Sequence, residues 1–155
     1  MSIATIPATT TTTTTTGELT TIRPRLGRVA VRASLVGAAV AEGLSLVARG
    51  LDVPMRAADP GAAAAKAIPV GGVAMAVLMN AAIGLVLAAA LARWTKSPAR
   101  TFATIATTYA VLSLLGPAFA AHTELATKVV LSFTHVIAAV VIIPPIVDAL
   151  RAARR

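Results

Sequence analysis

The sequence predicts an all-α fold, a four-helix transmembrane bundle, on three observations. Four apolar stretches of spanning length, at 29–48, 68–92, 102–121 and 129–149, take up most of the 155 residues. Hydrophobic residues make up 57% of the chain and the mean hydropathy is +0.82, the composition of an integral membrane protein. A chain this short has no core that could bury four helices apolar on every side, whereas a bilayer asks about 20 apolar residues of each span.

Taken in order, residues 1–27 read as a disordered cytoplasmic tail. It contains an unbroken threonine run at 9–16, and such a segment has nothing to bury against the entropy cost of ordering. The basic cluster Arg23, Arg25, Arg28 and Arg32 comes late for a cleaved signal peptide, so the first span reads as a retained signal anchor. The four-span membrane domain occupies 28–150. Its longest connection, 49–67, carries Gly50, Pro54, Pro60 and Gly61 among five charged residues, which is loop chemistry. Residues 62–65 are all Ala and are placed to start the second helix early, with Pro69 in its first turn. A tight basic turn at 94–100 makes spans two and three antiparallel neighbours. Gly116 and Pro117 are expected to kink or end span three, and Pro144 and Pro145 to do the same to span four. A basic C-terminus, 151–155, closes the chain.

Orientation follows from Lys and Arg. Ten of the 14 flank the ends of the spans that share a side with the two termini: the four already named, then Arg93, Lys96, Arg100, Arg151, Arg154 and Arg155. Arg49, Arg56, Lys66 and Lys128 lie on the other side. The excess predicts an N-in, C-in protein of the cell membrane. Trp94 and Phe102 would then sit at the inner interface and Phe119 at the outer. The net charge of +8 does not amount to a nucleic-acid footprint, because no continuous basic face with stacking aromatics accompanies it. The chain has no Cys, which excludes disulfides, thiolate catalysis, Cys-ligated metals and Fe–S clusters.

Small residues recur at helical spacing in the first two spans: Ala33, Gly37, Ala41 and Ser45, then Gly72, Ala76, Asn80, Gly84 and Ala88. Such rows let helix backbones approach closely. Gly37, Ala41, Gly72, Ala76 and Gly84 are the expected packing positions, within one subunit or across a homodimer.

Ionisable and polar groups inside the spans are the main functional clue, because burying them in lipid is costly. Glu42 and His135 each lie about 9 Å from the outer ends of their predicted spans. That common depth would allow a hydrogen-bonded pair sharing a proton. Asn80 and Tyr109 fall deeper, at a second common level. The four form a candidate polar column, to be read either as interhelical glue or as a proton- or solute-handling site. Asp148 can meet Arg151. His122 and Glu124 make an H-x-E in the outer turn, a spacing too sparse to define a metal site.

The segment Ser113-Leu-Leu-Gly-Pro117, the short turn after it, and the His135-bearing run from Thr127 to Pro144 resemble a family of small actinobacterial four-helix membrane proteins of unknown function. The Arg-Gly-Leu-Asp-Val exit at 49–53 fits as well, and the resemblance covers about 28–149. It implies a membrane location and four helices, and it supplies no activity. Relatives with a neutral polar residue in place of Glu42 would mean that a carboxyl group is not needed for any family-wide chemistry.

The sequence therefore predicts a non-enzymatic structural, accessory or assembly subunit with no cofactor. Its partners would be the lipid bilayer and either a second copy or an unidentified membrane protein. The alternative is a small proton-coupled carrier using Glu42 and His135. An intramembrane enzyme would need a nucleophile–base pair or a metal cluster, and neither is legible.

Overall fold

The computed structural model describes residues 16–58 and 62–153 and is mostly helical. Helix α1 runs over Thr16–Gly50, α2 over Gly72–Trp94, α3 over Pro98–Ser113, α4 over Leu115–Phe119 and α5 over Leu125–Ala152. Four stretches are long and apolar enough to cross a membrane: Arg25–Gly50, Gly72–Trp94, Pro98–Phe119 and Leu125–Ala152. Their outward faces carry large aliphatic side chains such as Ile83, Val86 and Val140, all exposed. Such continuous apolar surface suits lipid better than water.

Helix α1 is the most buried of the four. Of its most apolar stretch 44% is buried, against 17%, 11% and 11% for the other three spans. Helix α1 lies against α5 and α2, and α3 lies against α5 and α2. Two clusters hold the two ends. At the end bearing the chain termini, Leu26 and Ala30 of α1 meet Ala88, Phe102, Ile146 and Leu150. At the opposite end, here the loop end, Ala41 and Ala48 meet Met55 and Val73, with Val130 and Leu131 against them. The N-terminal part of α1 thus meets the C-terminal part of α5, so the two helices are antiparallel. Phe102 is 2% exposed and belongs to the core, so its ring packs between helices and is not available as an interfacial anchor. Trp94 and Phe119 are exposed.

Other expectations also change. Residues 1–15 of the expected tail lie outside the described residues, and 16–27 are helical. Once a span has nucleated a helix, each further residue adds a bond at little cost. Helix α2 starts at Gly72 rather than 68, and 62–65 do not open it. Instead, the loop folds as a minimal antiparallel hairpin, β1 (Arg56–Ala57) against β2 (Lys66–Ala67). Its neighbour Met55 is fully buried in the loop-end cluster. Burying that one large side chain stabilises the loop by about 1.5–3 kcal/mol.

The third span breaks at Leu114, between α3 and α4. Pro117 has no N–H to give the Ser113 carbonyl, so the bond that would carry the helix across this point is lost. Pro144 and Pro145, by contrast, neither end nor interrupt α5. The residues beyond them, Ile146, Val147 and Leu150, are buried in the terminal-end cluster, and that packing keeps the helix continuous despite the lost bonds.

Candidate functional site

The first-span row Ala33, Gly37, Ala41 and Ser45 is buried throughout. A Cβ built on Gly37 would lie 2.9 Å from Ile142 Cδ1, so α1 and α5 touch where only a hydrogen fits. The second-span row does not behave this way. Ala76 and Asn80 are exposed, a Cβ on Gly84 meets nothing within 4 Å, and Gly72 faces only the nearby Ile68 and Pro69. Most of that row lies on the outer surface, and only Ala88 at its end is buried.

Glu42 is the most constrained polar group within a span. Its Oε1 accepts a hydrogen bond from the Gly71 N–H at 2.7 Å, and its Oε2 one from the Ala74 N–H at 2.9 Å. Gly71 is the N-cap of α2 and Ala74 its third residue. The first N–H groups of any helix lack partners within it, and in most helices the N-cap side chain supplies one. Gly71 has no side chain, and its φ of +82° is the left-handed conformation that glycine adopts at no steric cost. The acceptor therefore comes from another helix. Two turns along the same face of α1, Arg49 Nη2 donates to the Ile68 carbonyl at 2.6 Å. Ile68 N–H in turn donates to Met55 O at 2.9 Å. Glu42 and Arg49 together clasp the start of α2, one holding its N–H groups and the other the carbonyl before them.

Between them lies Ser45, whose Oγ is buried without a hydrogen-bond partner, as are Arg49 Nε and Thr127 Oγ1. From sequence alone Arg49 reads as loop charge and Gly72 as a packing position, and Gly71 has no assigned role. The available signal was the seven-residue spacing from Glu42 to Arg49, which puts them on one helix face.

His135 does not meet Glu42. Its Nδ1 lies 2.7 Å from Leu131 O, and a carbonyl only accepts, so Nδ1 carries the hydrogen. The ring lines a groove between α3 and α5 beside Thr107. The two residues share a level along the bundle but turn to different neighbours. Gly37 abuts Ile142, and five residues outward along each of these antiparallel helices lie Glu42 and Ile137, within a turn of His135. At that level Glu42 turns to α2 and His135 to α3.

Asn80 and Tyr109 are brought together. Tyr109 Oη donates to Asn80 Oδ1 at 2.7 Å, and Asn80 Nδ2 donates to Ala76 O at 2.8 Å. Both residues are exposed, so the pair ties α2 to α3 on the outer face rather than inside a column. Asp148 meets Arg151 at 3.0 Å, both exposed. Among the described residues, no three His, Cys, Asp or Glu side chains gather as a metal site.

Residues 21–152 match the model of a family described as a family of unknown function, DUF6069. No curated protein and no solved structure matches the chain.

Proposed function

We propose that this chain, which belongs to the family of unknown function DUF6069, is a non-enzymatic multi-pass membrane subunit, structural or accessory to assembly. In this reading it sits in the cell membrane with both termini cytoplasmic. The observation that carries the proposal is the clasp. Both oxygens of Glu42, the one acidic side chain deep in a span, are taken up by the backbone of α2. An acid that must load and release protons or solute is poorly served by such an arrangement, because each cycle would uncap a helix. The carrier reading relied on a Glu42–His135 pair, and the two side chains have other partners. The lysine and arginine imbalance supports the orientation. Lipid is the partner that the exposed aliphatic faces favour, and a second copy or another membrane protein would meet the chain through the same faces.

Single cysteines test water access on this cysteine-free background. Ser45→Cys and Thr134→Cys are nearly isosteric, buried at 0% and 2% exposure, and flank Glu42 and His135 without removing them. Lys66→Cys on the exposed loop is the reactive control. A membrane-impermeant maleimide on intact cells should label the Lys66 position and neither buried one. Labelling at both buried positions would reveal a water-filled path and restore the carrier reading.

A further inference from the structure

The loop-end cluster contains residues of α1, α2, α5 and the loop, and none of α3 or α4. Along the seam between the third span and α5, on either side of the break at Leu114, lie two grooves. One, about 520 Å³, is lined by Ala118, Leu125, Lys128, Ser132 and Phe133, among others. The other, about 310 Å³, runs past His135, Ala139 and Ile143 to Pro144. They meet at Val136, which lines both. The exposed side chains Leu125, Val129, Phe133 and Val140 border this furrow, so it is open sideways.

We infer that the furrow is a binding site for an anionic phospholipid, its phosphate on Lys128 and one acyl chain along α5; this rests on the membrane-spanning reading. Three features converge on that occupant. Lys128 stands at the mouth, the fourth residue of α5, and its Nζ donates one bond, to Ala118 O at 3.3 Å. Among the described residues it takes part in no ion pair, so two N–H groups of its ammonium remain for an anion. Below it the lining is aliphatic and aromatic apart from Ser132, His135 and Thr107. The Ser132 hydroxyl donates to Lys128 O and the His135 Nδ1 to Leu131 O, and apart from these two and Thr107 the lining below Lys128 is apolar, which suits a hydrocarbon chain better than a polar solute. From Lys128 to Ile143 the furrow runs about 22 Å along the helix. That matches a headgroup plus a chain crossing half of a hydrocarbon core about 30 Å thick. A neutral lipid would fill the apolar part equally well, and the charge at the mouth is what selects the anionic one.

Fluorescence quenching reads this directly. Trp94 is the single tryptophan; in a Trp94→Phe background, Phe133→Trp places a reporter in the furrow and Val86→Trp one on the far exposed face. Each protein is reconstituted into vesicles of brominated phosphatidylglycerol or of brominated phosphatidylcholine mixed with unlabelled lipid. At position 133 phosphatidylglycerol should win over phosphatidylcholine about fivefold, the ratio corresponding to about 1 kcal/mol for an interfacial Lys. Lys128→Gln should bring the ratio to about one, and Lys66→Gln should leave it unchanged. At position 86 the ratio should be about one throughout. Equal quenching by both lipids at position 133 overturns the site while leaving a lipid-facing helix intact. No quenching by either overturns the membrane-spanning reading and the site with it.

Discussion

At the residue scale, a carboxyl group about two turns inside an apolar helix is costly unless its oxygens are used. In Glu42 both are used, on N–H groups that would otherwise lack partners. Removing it exposes both sides of that exchange. Glu42→Ala should destabilise the protein in detergent by about 2 kcal/mol, and Glu42→Gln, which keeps one acceptor oxygen, by about half as much. Unfolding monitored by circular dichroism checks this, and a Glu42→Ala protein as stable as the wild type would refute the clasp. The Asn80–Tyr109 bond sits on the surface, so Tyr109→Phe should cost only about 0.6 kcal/mol, measured in a double-mutant cycle with Asn80→Ala. These two outcomes mark what the sequence discloses at this scale. Depth follows from counting residues along a span, and it places Glu42 near His135 and Asn80 near Tyr109. Rotation about the helix axis does not follow from counting. It pairs the second couple and separates the first, because the neighbour that α1 presents to Glu42 is the bare backbone start of α2.

At the element scale, the two small-residue rows look alike in the sequence and differ in the fold. Gly37 abuts Ile142 and Gly84 faces open space. Gly37→Val should therefore cost about 1–3 kcal/mol by overpacking, part of which Ile142→Ala should restore. Gly84→Val should stay within about 0.5 kcal/mol. If the two cost the same in thermal unfolding, the α1–α5 contact is not the tight one. The prolines teach a similar lesson. Pro117 breaks its span within one turn of the end, where α4 contributes to neither core cluster. Pro144 and Pro145 are followed by buried residues that hold the helix on. A proline's local effect is legible from the chain, and whether packing overrides it is a tertiary matter. The number of spans needs no such information, since length and hydropathy alone give it, whereas their ends, such as the start of α2 at Gly72 rather than 68, depend on the loop and its packing.

At the scale of the whole molecule, the two clusters give the protein two unlike ends. The terminal end joins all four spans, through Leu26, Ala88, Phe102 and Leu150. The loop end is closed by Met55 and the hairpin, with the Ala58 N–H reaching Thr123 Oγ1 at 3.3 Å across to the turn before α5. Charge differs between the ends as well: among the described side chains seven Lys and Arg lie toward the terminal end and four toward the loop end. The connections are short, and in short connections a surplus of this kind decides which side stays in the cytoplasm. Single cysteines at Leu51, 74% exposed, and at Lys96, in the exposed turn between α2 and α3, should then respond oppositely. Leu51→Cys should react with an impermeant thiol reagent on intact cells, and Lys96→Cys only after permeabilisation. The reverse pattern would invert the orientation and put the Lys128 furrow in the cytoplasmic leaflet. Reaction at both positions in intact cells would mean that the loop-end charges offset those of the terminal end, and that the chain inserts both ways. The clasp survives either result, because it depends on the chain's own contacts, whereas the leaflet from which the furrow draws its lipid is set by orientation alone.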